Sequence, residues 1–348
     1  MSRKHSSKNN GKYKWIKAGI LILLPILFFL ASICIGRYSV SPAEVAKSFW
    51  AALSGVKPET LGLDQQAYAV VMNLRFERAI QGLMVGASLA VSGACFQSLF
   101  RNPLVSSDML GVSNGAGFGA ALAILLFNNM AMTSVFSFGF GILAVIFAYL
   151  AGKVSGGTPV ITLVLGGTII QSIFSALLSL LKYIADPYSE LPAITFWLMG
   201  SMASTRTEEL LISAIPMCAG LIGMMLFRWR LNVLSMGDRE AKTLGLNVAL
   251  NKGLIIGFAT ISTAGAVCIS GVIGWIGLVV PHICRMIIGS DNKWLLPASL
   301  SVGACFMVMV DTLCRTITGA EIPLGIVTAI VGGPFFIYLL KKTKGKNW

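Results

Sequence analysis

Few residues of this 348-residue chain could do chemistry, and their spacing says more than their number. Arg75 and Arg78 lie three apart, so on a helix they share a face. Asp311 and Arg315 lie four apart and can pair along a helix, with Glu321 shortly behind. A charge at mid-bilayer costs ~2.5–3.5 kcal/mol on insertion scales, so these groups belong near helix ends where water is within reach. There they act either as ordinary interfacial anchors, the Asp311–Arg315 pair adding ~0.3–0.5 kcal/mol, or as a basic outer surface that recruits an acidic partner. A second stretch runs Asp238-Arg239-Glu240-Ala241-Lys242-Thr243-Leu244 between Gly237 and Gly245. Its acidic start, helix-forming interior and glycine stop predict a short helix with Ala241 and Leu244 on one face. A helix this short is unstable alone and must dock, on its own bundle or on a cytoplasmic partner.

Other chemistry is excluded by what is missing. There is no Ser/His/Asp arrangement, no His-Glu-x-x-His and no paired carboxylates inside an apolar run. The only histidines are His5 and His282, so no metal site and no cofactor are expected. The seven cysteines (34, 95, 218, 268, 284, 305 and 314) include no CxxC and nearly all lie in apolar runs, as small buried hydrophobes do. The Gly-Lys pairs at 11–12, 152–153 and 345–346 are followed by Tyr, Val and Asn, so no P-loop is present. If ATP drives this protein, a separate subunit must supply the site. An enzyme is a poor reading.

The elements that position these residues are apolar. The chain is 55% hydrophobic and 12% charged, against about 25% charged in soluble domains, and its mean hydropathy is +0.79. Such a chain suits lipid. Apolar segments fall at about 16–36, 76–100, 109–127, 132–152, 159–183, 207–227, 249–270, 272–289, 294–314 and 322–340. The expected fold is therefore all-α: one polytopic membrane domain, 1–348, of about ten transmembrane helices. The run 16–36 is long for a signal peptide and is expected to be a retained first span. The basic tail 1–15 and the lysines at 341, 342, 344 and 346 put both termini in the cytoplasm. More than two thirds of the 27 lysines and arginines fall on the inside in this layout. The net charge of +13 thus reports orientation and calls for no nucleic acid.

Three loops should have structure. In the outside loop 37–67, Ser41-Pro42-Ala43-Glu44 is a capping box, and Val45, Phe49 and Leu53 follow at helical spacing. The outside loop 184–206 holds the apolar piece Phe196 to Gly200. The inside loop 228–248 carries the short helix described above. Gly82, Gly86, Ala90 and Ala94 recur every fourth residue, as do Gly111, Gly115 and Gly119, which lets helix backbones approach closely. They serve tight bundle packing, or in addition a subunit boundary or pathway.

Four stretches taken in order resemble the permease subunit of type II ATP-binding-cassette importers, the FecCD-like family that takes up iron–siderophores, haem and cobalamin. The first runs from Arg75-Phe76-Glu77-Arg78 through Gly86 to Gly93 and Gln97, then Arg101-Asn102-Pro103-Leu104 and Leu110 to Ala116. The second is the inside loop with Gly237, Ala241, Leu244 and Gly245. The third is Gly277 through Pro281-His282 to Arg285. The fourth is Asp311 to Arg315, Glu321-Ile322-Pro323-Leu324-Gly325-Ile326 and Gly333 to Phe336. Departures are small: Trp275 stands where the family often has Phe, and Phe76-Glu77 separates the arginines where Pro is more usual.

The resemblance implies ten spans per subunit, a second permease (identical or a paralogue), two copies of a cytoplasmic ATP-binding subunit, and an extracytoplasmic substrate-binding protein. It implies that Gly237, Asp238, Ala241, Leu244 and Gly245 form the coupling helix seated on the ATPase. Arg75, Arg78 and Arg315 would dock the binding protein. Asn102, Pro103, Pro281, His282, Arg285, Asp311, Glu321 and Pro323 would be structural, His282 by packing. The expected function is ATP-driven import of an iron chelate or corrinoid across the cell membrane. The alternative, an ion-coupled secondary transporter, is disfavoured because the span centres read as almost free of ionisable residues.

Overall fold

A computed structural model describes residues 3–154, 159–203 and 206–342 of the chain, and the tail lysines at 344 and 346 lie outside the described residues. Among the described residues the chain forms helices and no strand. The first helix, α1 (Arg3–Cys34), is followed by α2 (Pro42–Ser54), α3 (Gln65–Leu99), α4 (Val112–Phe127) and α5 (Met130–Gly152). Then come α6 (Val160–Ile184), α7 (Glu190–Met199), α8 (Thr207–Leu226), α9 (Arg228–Met236) and α10 (Asp238–Thr243). The chain continues through α11 (Val248–Ser270), α12 (Ile276–Ile288), α13 (Asn292–Ile317) and α14 (Leu324–Lys342).

The ten expected spans correspond to α1, α3, α4, α5, α6, α8, α11, α12, α13 and α14. Six of them are long and apolar enough to cross a membrane alone. The apolar parts of the other four are shorter: Ala18–Cys34, Val112–Phe127, Ile276–Ile288 and Leu324–Tyr338. At 1.5 Å per residue the 13 residues of α12 cover ~20 Å of a core ~30 Å thick. The full-length spans expected at 109–127 and 272–289 are therefore each completed by irregular backbone, at 100–111 and 271–275.

The centre of the bundle is α3, 83% buried over its most apolar window, whereas α6 is 22% buried. The small-residue rows explain the difference. Gly86 faces the Gly303 carbonyl and Gly93 the Gly277 carbonyl so closely that a Cβ at either would overlap it. Gly115 and Gly119 meet the backbone of Phe140 and Phe136 in the same way. These rows thus pack α3 on α13 and α12, and α4 on α5, within one chain.

At the outer end, the capping box of α2 is present: the Glu44 carboxylate accepts the Ser41 N–H at 2.7 Å and the Ser41 hydroxyl accepts the Glu44 N–H at 3.3 Å. Its inward face is Val45, Ser48 and Ala51, not the expected row to Leu53, which is exposed. The apolar piece at 196–200 is the end of α7, anchored by buried Ile194.

Candidate functional site

At the inner end, a glycine corner and a half-buried ion pair hold α10 against the bundle. Gly237 has φ +140°, a conformation that side chains rarely adopt, and a Cβ there would overlap the Glu240 carboxylate. This lets α9 stop and α10 start within one residue. The α9 helix was not foreseen, because Arg228 to Met236 has too mixed a pattern to declare a face. Gly245, at φ +79°, ends α10: its N–H reaches the Lys242 carbonyl at 2.9 Å, and the Leu246 N–H reaches the Ala241 carbonyl at 3.0 Å. That is the double closure of a left-handed helix cap.

Asp238 fixes the other end of α10. Its carboxylate meets the Lys252 ammonium at 2.7 Å, and the Lys252 side chain is 1% exposed. Ala241 is fully buried, while Leu244 is 61% exposed. The single face expected for these two is thus split, because Leu244 lies at the cap, beyond the helical register. Met236 and Leu250 join Leu244 as exposed apolar residues at this end. A helix pinned on one side presents an uncovered apolar and charged surface on the other.

The turn before α4 supports this end. Arg101 takes a left-handed conformation, φ +51°, so that the Asn102 N–H returns to the Gln97 carbonyl at 3.1 Å and closes α3. The Asn102 side chain then accepts the Leu104 N–H at 2.9 Å across Pro103. Asp291 caps α13, and its carboxyl is held below the usual carboxylate range by the Lys293 N–H and the Asn232 amide. Pro281 and His282 are buried within α12, and Pro323 opens the first turn of α14. On Arg285, Nε and Nη2 have no hydrogen-bond partner among the described residues.

At the outer end the expected basic surface is not presented. Arg78 lies between two carboxylates, with Nη2 at 2.6 Å from Asp311 and Nη1 at 2.8 Å from Glu321. Arg315 donates to the Ser32 carbonyl and sits 3.6 Å from Asp311. Arg75 donates to the carbonyls of Ile33, at 2.8 Å, and Tyr38. Arg75 and Arg78 are both buried. They also face different neighbours, because residues Val70–Phe76 form a π-helical stretch that resets the register before Arg78. In this conformation the arginines expected to dock a partner thus tie α3 to α1, α13 and the segment before α14. No feature of composition announces the π stretch.

A third polar feature was missed by the sequence. Gln171 stands near the middle of the 25-residue α6, and its amide donates to the Asp108 carbonyl at 2.7 Å. Asn114 donates to the Gln171 carbonyl at 3.3 Å, and the Asp108 carboxylate accepts the Ser113 N–H at 2.9 Å. The Asp108 backbone is thus level with the middle of α6, although the residue belongs to the turn before α4 and to no span. It borders a cavity of about 230 Å³ with Ser106, Ser107, Gly274 and Trp275. On either side of Gln171, α6 exposes Thr168, Ser172, Ser175 and Ser179 on one face and Ile169, Ile173 and Leu180 on the next. One solvent does not suit both faces. The first fits a polar route and the second fits lipid.

A model of the FecCD transport family matches residues 22–342. The chain is 40% identical to the molybdate import system permease protein MolB of Haemophilus influenzae, over 95% of this chain and 97% of that protein. It is 36% identical to the cobalamin import system permease protein BtuC of Halobacterium salinarum, over 84% of this chain and 79% of that one. A solved metal-chelate type ABC transporter in an inward-facing conformation superposes with a TM-score of 0.83 at 38% identity, covering 95% of this chain and all of that one.

Proposed function

From membership of the FecCD transport family, to which this chain belongs, we propose that it carries a metal chelate, haem or a corrinoid into the cytoplasm while a separate subunit hydrolyses ATP. As an ABC importer permease of that family, it crosses the cell membrane several times and holds no ATPase of its own. The observation that carries the reading is α10. It is a short helix outside the bundle, fixed by Asp238–Lys252 and by Gly237 and Gly245, with Leu244 uncovered for a partner. Rigid attachment on one side and a free surface on the other are what transmission of motion from an ATPase requires.

Two ATP-binding subunits, a second permease and an extracytoplasmic binding protein complete the proposed assembly. The cargo class is supported by breadth of contact. The hydroxyl face of α6 offers many weak, neutral hydrogen-bonding groups, which suits a bulky chelate better than a bare ion. Docking of a binding protein at the outer end belongs to the same reading. Its carboxylates would have to replace Asp311 and Glu321 on Arg78, so docking and rearrangement of that end would occur together.

Reconstitution with the ATP-binding subunit and the binding protein tests the proposal. Uptake is expected to require ATP and to survive a protonophore. Uptake unchanged when ATP is withheld would overturn it. For α10, Leu244→Asp is expected to lose the ATP-binding subunit on co-purification while the permease stays monodisperse. Full co-purification with normal transport would remove the coupling role.

A further inference from the structure

Between the α4–α5 turn, α7 and the outer ends of α8 and α11 lies a cavity of about 360 Å³, the size of a small-molecule site. Glu209 is the one charged residue in its wall, and no lysine or arginine lines it. The Glu209 carboxylate makes no hydrogen bond or ion pair among the described residues.

Two hydroxyls of the wall have spent their donors. The Thr133 hydroxyl donates to the Asn129 carbonyl at 2.9 Å, and the Ser134 hydroxyl donates to the Cys268 carbonyl at 3.2 Å. What they still offer a ligand is acceptor lone pairs. Phe196 and Trp197 add aromatic faces, and Phe196 is largely exposed. A net negative, aromatic-walled cavity matches a flat or tetrahedral nitrogen cation with an alkyl stem.

We propose that this outer cavity binds a guanidinium or alkylammonium group, with Glu209 as its counter-ion and Phe196 and Trp197 against its stem. The site goes beyond the importer reading. It lies apart from α10 and from the Arg78 cluster, and its charge is opposite to that of an arginine-based dock. The cation arrives either as a basic side chain of a docked protein or as a free solute.

Calorimetric titration of the purified full chain in lipid nanodiscs with butylguanidinium tests this. Saturable binding is expected, with none for the neutral pentanamide. Glu209→Gln should weaken binding about tenfold, the loss of one charge-assisted contact. Ala193→Phe, which fills the cavity without touching charge, should abolish it. Both variants are checked for an unchanged gel-filtration profile. Absence of saturation in the parent chain, or equal affinity in Glu209→Gln, would overturn the proposal. Repeating the titration with the extracytoplasmic binding protein docked separates the sources. Competition assigns the cation to that partner's side chain, and undiminished binding assigns it to a free solute. No ATP or transport is needed, so failure here leaves the importer reading untouched.

Discussion

Arg78 offers the sharpest test of the outer end. Its side chain is 11% exposed and meets Asp311, itself 5% exposed, at 2.6 Å. Removing one member of a buried pair costs about 3–5 kcal/mol, because the other charge stays buried without it. After Arg78→Met, Asp311 would keep only Arg315 as an ion partner, at 3.6 Å. Glu321 is different: its side chain is 36% exposed, so water screens that arm and Glu321→Gln should cost at most about 1 kcal/mol. The double variant Arg78→Met/Asp311→Asn should cost less than the sum of its parts by about 2–3 kcal/mol, since neither charge is then stranded.

Heat unfolding of the purified chain in detergent, followed by tryptophan fluorescence, measures this. At about 2 °C per kcal/mol, Arg78→Met should melt about 6–10 °C below the parent and Glu321→Gln within about 2 °C of it. Melting of Arg78→Met at the parental temperature would refute the reasoning, for it would mean a hydrated guanidinium that is free to meet a partner. The result also decides how a charge reversal is read. Arg78→Glu would bring a third carboxylate to Asp311 and Glu321, so its loss of docking would report a damaged bundle and not a lost contact.

Three further outcomes follow from named contacts. Asp238→Asn removes the carboxylate that meets an ammonium 1% exposed and should cost about 1.5–3 kcal/mol, whereas Lys252→Met leaves a carboxylate 44% exposed and should cost about 1 kcal/mol or less; hydrogen exchange of the amides from 238 to 246 should rank them so, and the reverse order would sink the pinning role. Gly93→Ala should destabilise by about 1–3 kcal/mol through overlap with the Gly277 carbonyl, while Gly139→Ala, with open space at its Cβ, should be neutral or gain up to about 1 kcal/mol; thermal melts that fail to separate the two would contradict the close packing. Replacing Ser172 and Ser175 together by Leu should leave folding intact, because both are exposed, and slow uptake about tenfold or more if that face meets cargo; unchanged uptake would place the route elsewhere.

What the sequence disclosed and what it hid have a common cause. The helical spans, apart from the shortened ones at 112–127 and 276–288, the Ser41–Glu44 box and the Gly245 stop are set by local composition and recur in the structure. The Arg75–Arg78 pair is the contrary case. Three-residue spacing on an ideal helix puts both on one face, but the π stretch over Val70–Phe76 breaks the ideal period. One then turns to α1 and the other to α13. Whether a charge is offered to a partner or absorbed by the fold depended on Asp311 and Glu321, more than two hundred residues away. Leu244 was likewise expected to share a face with Ala241 and does not, since the cap that exposes it lies one residue past the helix.

Depth in the membrane was the quantity least accessible from sequence. Asp108 precedes an apolar run and so reads as a residue of an inner turn. Its carbonyl nevertheless meets Gln171 halfway along α6, because α4 and α12 begin partway through the bundle. The 100–111 and 271–275 segments that lead into them have no helical ladder, and lipid would leave their amides unsatisfied. They persist because protein covers them: Val105 and Ile273 are buried, and the Trp275 indole packs on Gly332 and against Phe336 although its backbone sits at φ +70°. With ψ −32° this Trp is the centre of a γ-turn, the Ile276 N–H reaching the Gly274 carbonyl at 2.9 Å, and so rare and strained a turn has no reason to persist in a helix unless the neighbouring space is used. Here that space is the cavity shared with Asp108. The broken spans therefore add irregular backbone and the Asp108 carboxyl to the neutral polar groups, such as Gln171, Ser92 and Thr263, that the intact helices hold.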